Sequence, residues 1–196
     1  MTNFKWKKIE SFTRYYLNED YAKWKYNIQE IVLEIGAGRL ERYTKKSITL
    51  DISRKFEPDI LASGYDLPFK DNVFDTIISI EVMEHLEKPQ VFVNEIHRVL
   101  KSGGAYFIVV PFIHPIHGVD YFRYTKLSLQ TLFKKFQIVN IEEQGSIISV
   151  LSQLTVLFLR LPLFWNIFSI FYALIARIDR HGPKELTLGY SIYGVK

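Results

Sequence analysis

The sequence predicts an α/β fold built on a doubly wound, mostly parallel sheet of seven strands with helices on both faces. Short apolar runs typical of buried strands alternate with stretches whose apolar residues recur at helical spacing, and Gly or Pro residues separate the two. The chain has 196 residues, 48% of them hydrophobic and 23% charged, which suits a single packed domain. It contains no Cys, and this excludes disulfides, iron–sulfur clusters, thiolate zinc sites and Cys nucleophiles.

The predicted strands follow one another at residues 31–35, 47–50, 59–61, 73–80, 105–110, 137–141 and 188–195. Pro89 begins a helix that Ser102-Gly103-Gly104 ends, and Thr125 caps the next helix. Residues 39–45 leave room for a helix of about two turns after the first strand. In a sheet of this type, ligands bind at the C-terminal ends of the strands, near the switch in strand order.

We expect one domain over residues 1–196, with a core at residues 30–146 and two additions to it. Residues 1–29 are rich in aromatic and basic side chains, which predicts a helical segment that packs over a core edge and forms a lid over the pocket. Residues 147–180 are predicted to form an apolar helical insert, and residues 181–196 contain the last strand.

The apolar insert leaves three interpretations open. From Ser146 to Ala176 the only charged residue is Arg160, and Arg160 with Pro162 divides the run into pieces shorter than the roughly 20 residues of a membrane span. The insert is a cap on the chain's own core or a homodimer surface, an interfacial helix pair on a membrane, or a true span. A span is the least favoured, because the last strand must return to the same sheet as the strand before the insert.

The charge distribution predicts no DNA partner. The net charge is +4, and residues 147–196 contribute 5 basic and only 2 acidic side chains, so the excess arises from an acid-poor segment rather than from a basic binding face. The N-terminus lacks the apolar run of a secretory signal. We therefore expect a cytoplasmic protein, peripheral at the inner face of the membrane if the insert binds lipid.

A candidate cofactor site follows the first predicted strand. Gly36-Ala37-Gly38 ends that strand, and Gly permits a tight turn and the close approach of a ligand to the backbone. Glu34 lies inside the strand, and Asp51 ends the next one, where a carboxylate is placed to accept both hydroxyls of a ribose. Glu41 stands where a dinucleotide fold requires a third Gly, which argues against NAD and FAD.

Five segments resemble, in order, the motifs of class I S-adenosylmethionine-dependent methyltransferases, close to the methyltransferase type 11 group. They are Val32–Gly38, Leu50–Ser53, Asp66–Phe69 with Asn72–Asp75, Glu81–Leu86 and Glu95–Gly104. The resemblance covers roughly residues 30–145. It implies a Rossmann-like fold, S-adenosyl-L-methionine as the cofactor and methyl transfer as the reaction.

The resemblance assigns roles to named residues around this cofactor. Glu34 would orient the first loop or reach the methionine amino group, and Asp51 would hold the ribose. Asp66 would accept the adenine amino hydrogens, with the Leu67 amide at a ring nitrogen. The full set expected at the cofactor is Glu34, Gly36, Ala37, Gly38, Asp51, Ile52, Asp66, Leu67, Glu81, Val82 and His85.

The acceptor side is predicted after the fifth strand, in residues 111–125. His114 and His117 are the candidate catalytic bases there, because His exchanges protons near neutral pH. The alternative is that both side chains only cap turns. A metal site is not expected, because this Pro-containing loop lacks the helical scaffold of paired ligands and no extra carboxylate motif accompanies it.

Three further residues of this loop are candidates for holding the substrate: Asp120, Tyr121 and Arg123. The alternative for Asp120 and Arg123 is a purely structural ion pair. The loop resembles those of type 11 enzymes of surface-polysaccharide and glycolipid synthesis, which implies transfer to an oxygen (hydroxyl or carboxyl) of a small-molecule, sugar or lipid-linked acceptor. RNA methylation and a non-catalytic, cofactor-binding scaffold subunit stay open as alternative functions.

Overall fold

A computed structural model of the chain describes residues 12–38, 47–116, 118–159, 179 and 186–196. The strands in these ranges are β1 (Val32–Ile35), β2 (Ile48–Asp51), β3 (Ile60–Leu61), β4 (Phe74–Ile80), β5 (Leu100–Pro111), β6 (Ile138–Gln144) and β7 (Gly189–Val195). The α-helices are α1 (Phe12–Trp24), α2 (Pro89–Val99), α3 (Lys126–Leu132) and α4 (Ile147–Leu159). The short helix expected at residues 39–45 lies outside the described residues.

All seven strands form one sheet in the order β3-β2-β1-β4-β5-β7-β6. The pairs on the β3 side of β5 are parallel, whereas β7 runs antiparallel to both β5 and β6. The predicted mostly parallel, seven-stranded sheet is therefore confirmed. The chain leaves β1 toward β2 on one side and later returns to β4 on the other side, so the strand order switches between β1 and β4.

Two predicted boundaries are wrong. β5 begins at Leu100 rather than at residue 105, because Leu100 already pairs with Phe74 of β4. Ser102-Gly103-Gly104 therefore lies within the strand and does not end the preceding helix, which stops one residue before Leu100. β6 extends to Gln144, because its pairing with β7 continues to Gly189.

Helices cover both faces of the sheet. On one face, Phe92 and Ile96 of α2 and Leu129 of α3 belong to the larger apolar core. On the other face, Trp24 of α1 stacks on Phe107 of β5, with ring centroids 5.0 Å apart. Burial on both faces explains why the central strands are almost continuously apolar.

The described part of the N-terminal segment packs against the sheet. Asp20 of α1 is buried and accepts a hydrogen bond of 2.7 Å from the hydroxyl of Ser191 in β7. None of the described residues of α1 lines the pocket that is introduced below. Residues 1–11 lie outside the described residues, so the lid remains a prediction.

Of the predicted apolar insert, the structure describes α4 and Asp179. The hydroxyl of Tyr16 in α1 and the main-chain N–H of Ser146 each donate to the Asp179 carboxylate at 2.8 Å. Arg160 and Pro162 lie outside the described residues. Among the helices that the structure describes, none is long and apolar enough to cross a membrane.

Candidate active site

A cavity of about 630 Å³ opens at the carboxyl ends of the parallel strands. Its described lining comes from the segments that follow β1, β2, β3 and β4, together with Tyr121 from the loop after β5. The cavity lies beside the switch in strand order between β1 and β4, where a sheet of this type binds its ligand.

The loop after β1 requires glycine. Gly36 and Gly38 have φ angles of +71° and +54°, and a Cβ atom on Gly36 would lie 2.2 Å from the Cγ2 atom of Val82. The Gly36 N–H donates to the main-chain oxygen of Leu50 in β2 at 2.7 Å. A side chain at position 36 would therefore disturb both the turn and its contact with the loop after β4. Both glycines lie in the cavity lining, whereas Ala37 between them does not.

Asp51 at the end of β2 holds the glycine loop and faces the cavity. Its Oδ2 atom accepts from the Gly38 N–H at 3.1 Å, and its Oδ1 atom accepts from the Ser53 N–H at 2.7 Å. Each carboxylate oxygen has about two lone-pair sites, so each retains the capacity to accept one more hydrogen bond. The carboxylate can therefore accept two adjacent ribose hydroxyls. Next to it, the Ile52 side chain is 76% exposed and gives the lining an apolar surface suited to a flat base.

The structure contradicts the role predicted for Leu67. The Leu67 N–H donates to the Glu95 carboxylate at 2.8 Å, and the Leu67 carbonyl accepts from the Arg98 guanidinium at 2.9 Å. The Leu67 side chain is buried. The amide is thus committed to Glu95, whose pKa is lowered mainly by its hydrogen bonds with Arg98. Asp66 is exposed and is likewise outside the described lining of the cavity.

The lining on this side comes instead from Ala62, Ser63, Gly64 and Tyr65. These residues directly follow the two-residue strand β3, which ends at Leu61. Their position after a parallel strand could have predicted this, because ligands bind at the carboxyl ends of such strands.

Glu34 supports the sheet rather than the cavity. It is buried, accepts a hydrogen bond from the Ser47 hydroxyl next to β2, and is not among the described lining residues. It alternates with Leu33 and Ile35 of the larger core, so its side chain lies on the α1 face of the sheet. Glu34 therefore anchors the entry to β2 in this structure.

The segment after β4 supplies the third wall of the cavity. Glu81, Val82 and His85, which the resemblance assigns to the cofactor, line it. Glu81 adopts a φ angle of +53°, which is uncommon for a residue with a side chain and is often found at functional sites. The Glu81 N–H donates to the main-chain oxygen of Val109 in β5 at 2.9 Å, which holds the turn in place.

Glu84 is a functional candidate that the sequence analysis missed. Its side chain is fully buried, and neither carboxyl oxygen has a hydrogen-bond partner among the described residues. Its Oε1 atom lies 3.7 Å from the Nε2 atom of His85. Burial raises the pKa of Glu84 to about 8, with smaller increases from Glu81 and Asp120. The sequence signal that could have found Glu84 was its position next to His85 in the segment that follows the fourth predicted strand.

The loop after β5 is attached to the segment after β4. The Tyr121 N–H donates to the main-chain oxygen of Glu84 at 2.7 Å, and the Tyr124 hydroxyl donates to that of Met83 at 2.8 Å. The Tyr121 hydroxyl donates to Glu87 at 2.6 Å, and Tyr121 lies in the cavity lining. This loop therefore contributes Tyr121 to the described lining of the pocket.

Other residues predicted for the acceptor side lie away from the described lining. Asp120 and Arg123 form a bidentate ion pair with each other. This is the ion pair that the sequence analysis gave as the alternative to substrate binding. The Nδ1 atom of His114 lies 3.1 Å from the carbonyl oxygen of Pro115, and His114 does not line the cavity. His117 lies outside the described residues. A catalytic role for His114 or His117 remains a prediction.

Comparison with known proteins matches a family to the segment that supplies most of the cavity lining. Residues 26–108 match the family described as a methyltransferase domain. This segment is similar to methyltransferase domains of the type 11 group, in agreement with the family that the sequence predicted. Two solved structures of this fold contain S-adenosylhomocysteine or S-adenosylmethionine, the cofactor predicted for the domain.

Relatives of the methyltransferase domain match only part of the chain. The chain is 37% identical over 82 residues to an uncharacterized protein of Methanocaldococcus jannaschii, covering 38% of this chain and 40% of that protein. It is 33% identical over 57 residues to a mitochondrial ubiquinone biosynthesis O-methyltransferase of Dictyostelium discoideum, covering 26% of this chain and 18% of the relative. The chain thus spans less than half the length of these two relatives.

A solved structure has the same fold. The phosphoethanolamine N-methyltransferase 2 of Haemonchus contortus, in complex with phosphomonomethylethanolamine and S-adenosylhomocysteine, superposes with a TM-score of 0.62 at 15% identity. The alignment covers 91% of this chain and 53% of that protein. At this identity the likeness shows the fold, and the predicted Rossmann-like architecture is confirmed.

The cavity fits an adenosyl cofactor on its own geometry. Gly36 and Gly38 leave the floor free of side chains, Asp51 keeps two acceptor positions, and the exposed Ile52 provides an apolar surface. A pocket with a few convergent polar groups in an apolar lining is typical of small-molecule sites.

Proposed function

We propose that this chain transfers the methyl group of S-adenosylmethionine to an oxygen atom of an acceptor that carries an apolar part. The observation that carries the proposal is the Asp51 carboxylate, fixed by two main-chain amides beside a glycine floor at the switch point of the sheet. The cofactor supplies an activated methyl group. The chain's own residues must therefore bind and orient the cofactor and the acceptor, and accept the proton that the acceptor loses.

Proton-handling groups favour an oxygen acceptor. A hydroxyl must lose its proton as it is methylated, and a base beside the reacting atom promotes this. His85 and Tyr121 line the cavity, and Glu84 lies directly behind His85. The similarity to an O-methyltransferase of Dictyostelium discoideum gives further support.

Exposed apolar side chains on the loop after β5 favour an acceptor with an apolar part. Ile116 is 81% exposed, Val119 63% and Phe122 40%. They lie on the same loop as Tyr121, which reaches the cavity. A lipid-linked glycan or another amphipathic molecule would cover them while its polar end enters the pocket.

Cofactor binding tests the first part of the proposal. Asp51→Ala should weaken S-adenosylmethionine binding by at least about 100-fold, because two hydrogen bonds to a charged acceptor are lost. Asp66→Ala is the matched control, since Asp66 is exposed and outside the described lining. Isothermal titration calorimetry measures both, with circular dichroism as a check on folding. Equal binding by wild type and Asp51→Ala would contradict the assignment of the ribose site.

Methyl transfer to mixed acceptors tests the second part. The chain is incubated with methyl-labelled S-adenosylmethionine and a cell-envelope extract, and the label is partitioned between organic and aqueous phases. We expect label in the organic phase, in a product whose labelled methyl group is bound to oxygen by nuclear magnetic resonance. Label only in added RNA would favour the alternative enzyme class, and cofactor binding without any transfer would favour a scaffold subunit.

Membrane contact is proposed for α4. Ile148, Leu151 and Leu154 are at least one third exposed and recur at helical spacing. Flotation with anionic liposomes should recover the wild-type chain, whereas Leu151→Ser with Leu154→Ser should reduce the recovered fraction. Complete recovery of the wild type in the lipid-free fraction would contradict this contact.

A further inference from the structure

We propose that His85 is the catalytic base of the site and that Glu84 is the positioning residue behind it. The inference rests on the proposed transfer to an oxygen, here specifically a hydroxyl, whose proton must be removed. The His85 side chain is 32% exposed within the cavity lining, whereas Glu84 is fully buried.

The contact between His85 and the loop after β5 determines which ring nitrogen carries a proton. The Nδ1 atom lies 2.5 Å from the main-chain oxygen of Val119. A carbonyl oxygen only accepts hydrogen bonds, so Nδ1 must be the donor. In the neutral ring Nε2 then holds the lone pair, and Nε2 is the atom that takes a proton from a hydroxyl.

Glu84 lies on the Nε2 side of the ring. Its Oε1 atom is 3.7 Å from Nε2, and its two carboxyl oxygens have no hydrogen-bond partner in the described part of the chain. Buried polar groups are normally satisfied, and an exception often has a catalytic reason. A negative charge at this position would stabilise the imidazolium that forms when the ring takes up a proton.

Charged and titratable groups from two elements face Glu84. Glu81 comes from the end of β4, while Asp120, Arg123 and Tyr124 come from the loop after β5. Burial, followed by the charges of Glu81 and Asp120, raises the pKa of Glu84 to about 8, and Arg123 opposes this shift. Glu84 is therefore neutral below about pH 8 and negative above it.

The transfer step balances with these groups. The acceptor hydroxyl gives its proton to Nε2 of His85 while its oxygen bonds to the methyl carbon. The carbon–sulfur bond breaks, and its electron pair stays on sulfur, which converts the sulfonium into a neutral thioether. The proton then leaves His85 for solvent, so one proton is released for each methyl group transferred.

Nuclear magnetic resonance tests the geometry without an acceptor. Long-range ¹H–¹⁵N spectra of the 5 His side chains, assigned with single His→Gln variants, report the tautomer of each ring. We expect His85 to carry its proton on Nδ1 in the neutral form, as its contact with the Val119 carbonyl requires. A neutral His85 protonated on Nε2 would overturn the inference.

Enzyme assays with labelled cofactor and the envelope extract test the catalytic role. His85→Gln should lower the transfer rate by about 100-fold or more while S-adenosylmethionine still binds. The matched control is His97→Gln, because His97 packs edge-on against Phe136 and does not line the cavity. For Glu84→Gln, which resembles the neutral acid, the rate should lose its increase across pH 8.

The remaining outcomes separate this inference from the proposed function. If His85→Gln keeps its rate and His114→Gln or His117→Gln loses it, the base lies in the loop after β5, and only the present inference fails. Activity that a chelator removes and Mg²⁺ alone restores would also overturn it, by making Glu84 and His85 ligands. Absence of S-adenosylmethionine binding by the wild type would reject both proposals.

Discussion

The two sides of the cavity are built in different ways. On the cofactor side the main chain determines the shape: Gly36 donates to Leu50, and Asp51 accepts from Gly38. On the acceptor side a loop is attached through Tyr121 and leaves apolar side chains in solvent. The first side is therefore held by main-chain hydrogen bonds, whereas the second side presents exposed apolar side chains. Under the proposed function, the first set of groups binds the methyl donor and the second set contacts the acceptor.

Adding one methyl group to each side gives the largest expected difference. Gly36→Ala combines a left-handed φ with a Cβ atom 2.2 Å from Val82, whereas Gly118→Ala has a φ of +66° but nothing within 4 Å. We expect Gly36→Ala to lose cofactor binding and at least about 3 kcal/mol of unfolding free energy. Gly118→Ala should lose about 1 kcal/mol and keep cofactor affinity. Urea unfolding and calorimetry measure both, and equal losses would contradict the comparison.

Glu84 joins the two sides, and its protonation should appear in the stability of the fold. Its pKa is raised from 4.5 to about 8, so between these values the folded state holds a proton that the unfolded state has lost. The unfolding free energy should therefore fall as pH rises through this window, by at most about 1.4 kcal/mol per pH unit. Glu84→Gln should remove this fall.

Chemical denaturation of wild type and Glu84→Gln at several pH values checks this. Glu57→Gln, at an exposed position, is the control for losing a carboxylate. Parallel pH profiles for wild type and Glu84→Gln would show that Glu84 does not titrate in this window.

The smallest expected effect lies on the exposed loop. Ile116→Ser with Val119→Ser should raise the KM for a lipid-linked acceptor by about tenfold, because apolar contact area is lost. Cofactor affinity should stay unchanged, since neither side chain lines the cavity. Leu127→Ser is the control, as Leu127 is 72% exposed on α3. A change in cofactor affinity instead would show that the two sides are not separable.

The fold was predictable because its signals are local. Apolar runs such as Ile77–Ile80 predict strands that are buried on both faces, and Thr125 predicts the start of α3 from its own side chain. The glycine turn and Asp51 were predictable for the same reason, since they end adjacent strands. The boundary of β5 was not, because Leu100 becomes a strand residue only through pairing with β4.

The site residues that were wrongly placed depend on contacts between distant parts of the chain. The Leu67 amide is taken by Glu95, which lies 28 residues later. Ser63 carries no charge and follows a strand of two residues, so its position in the lining had no strong local signal. Glu84 gains its environment from a loop that returns more than thirty residues later. The Tyr121 N–H of this loop donates to the main-chain oxygen of Glu84. The neighbouring His85 contacts Val119, which lies 34 residues later in the chain.

The ribose contact that we propose for Asp51 has a consequence for turnover. On that proposal the carboxylate binds only the sugar, so it does not distinguish the methyl donor from the demethylated product, which has the same sugar. Spent cofactor should therefore compete strongly with fresh cofactor. The output of this protein would then follow the ratio of the two in its surroundings, and it would depend on another enzyme that removes the spent form.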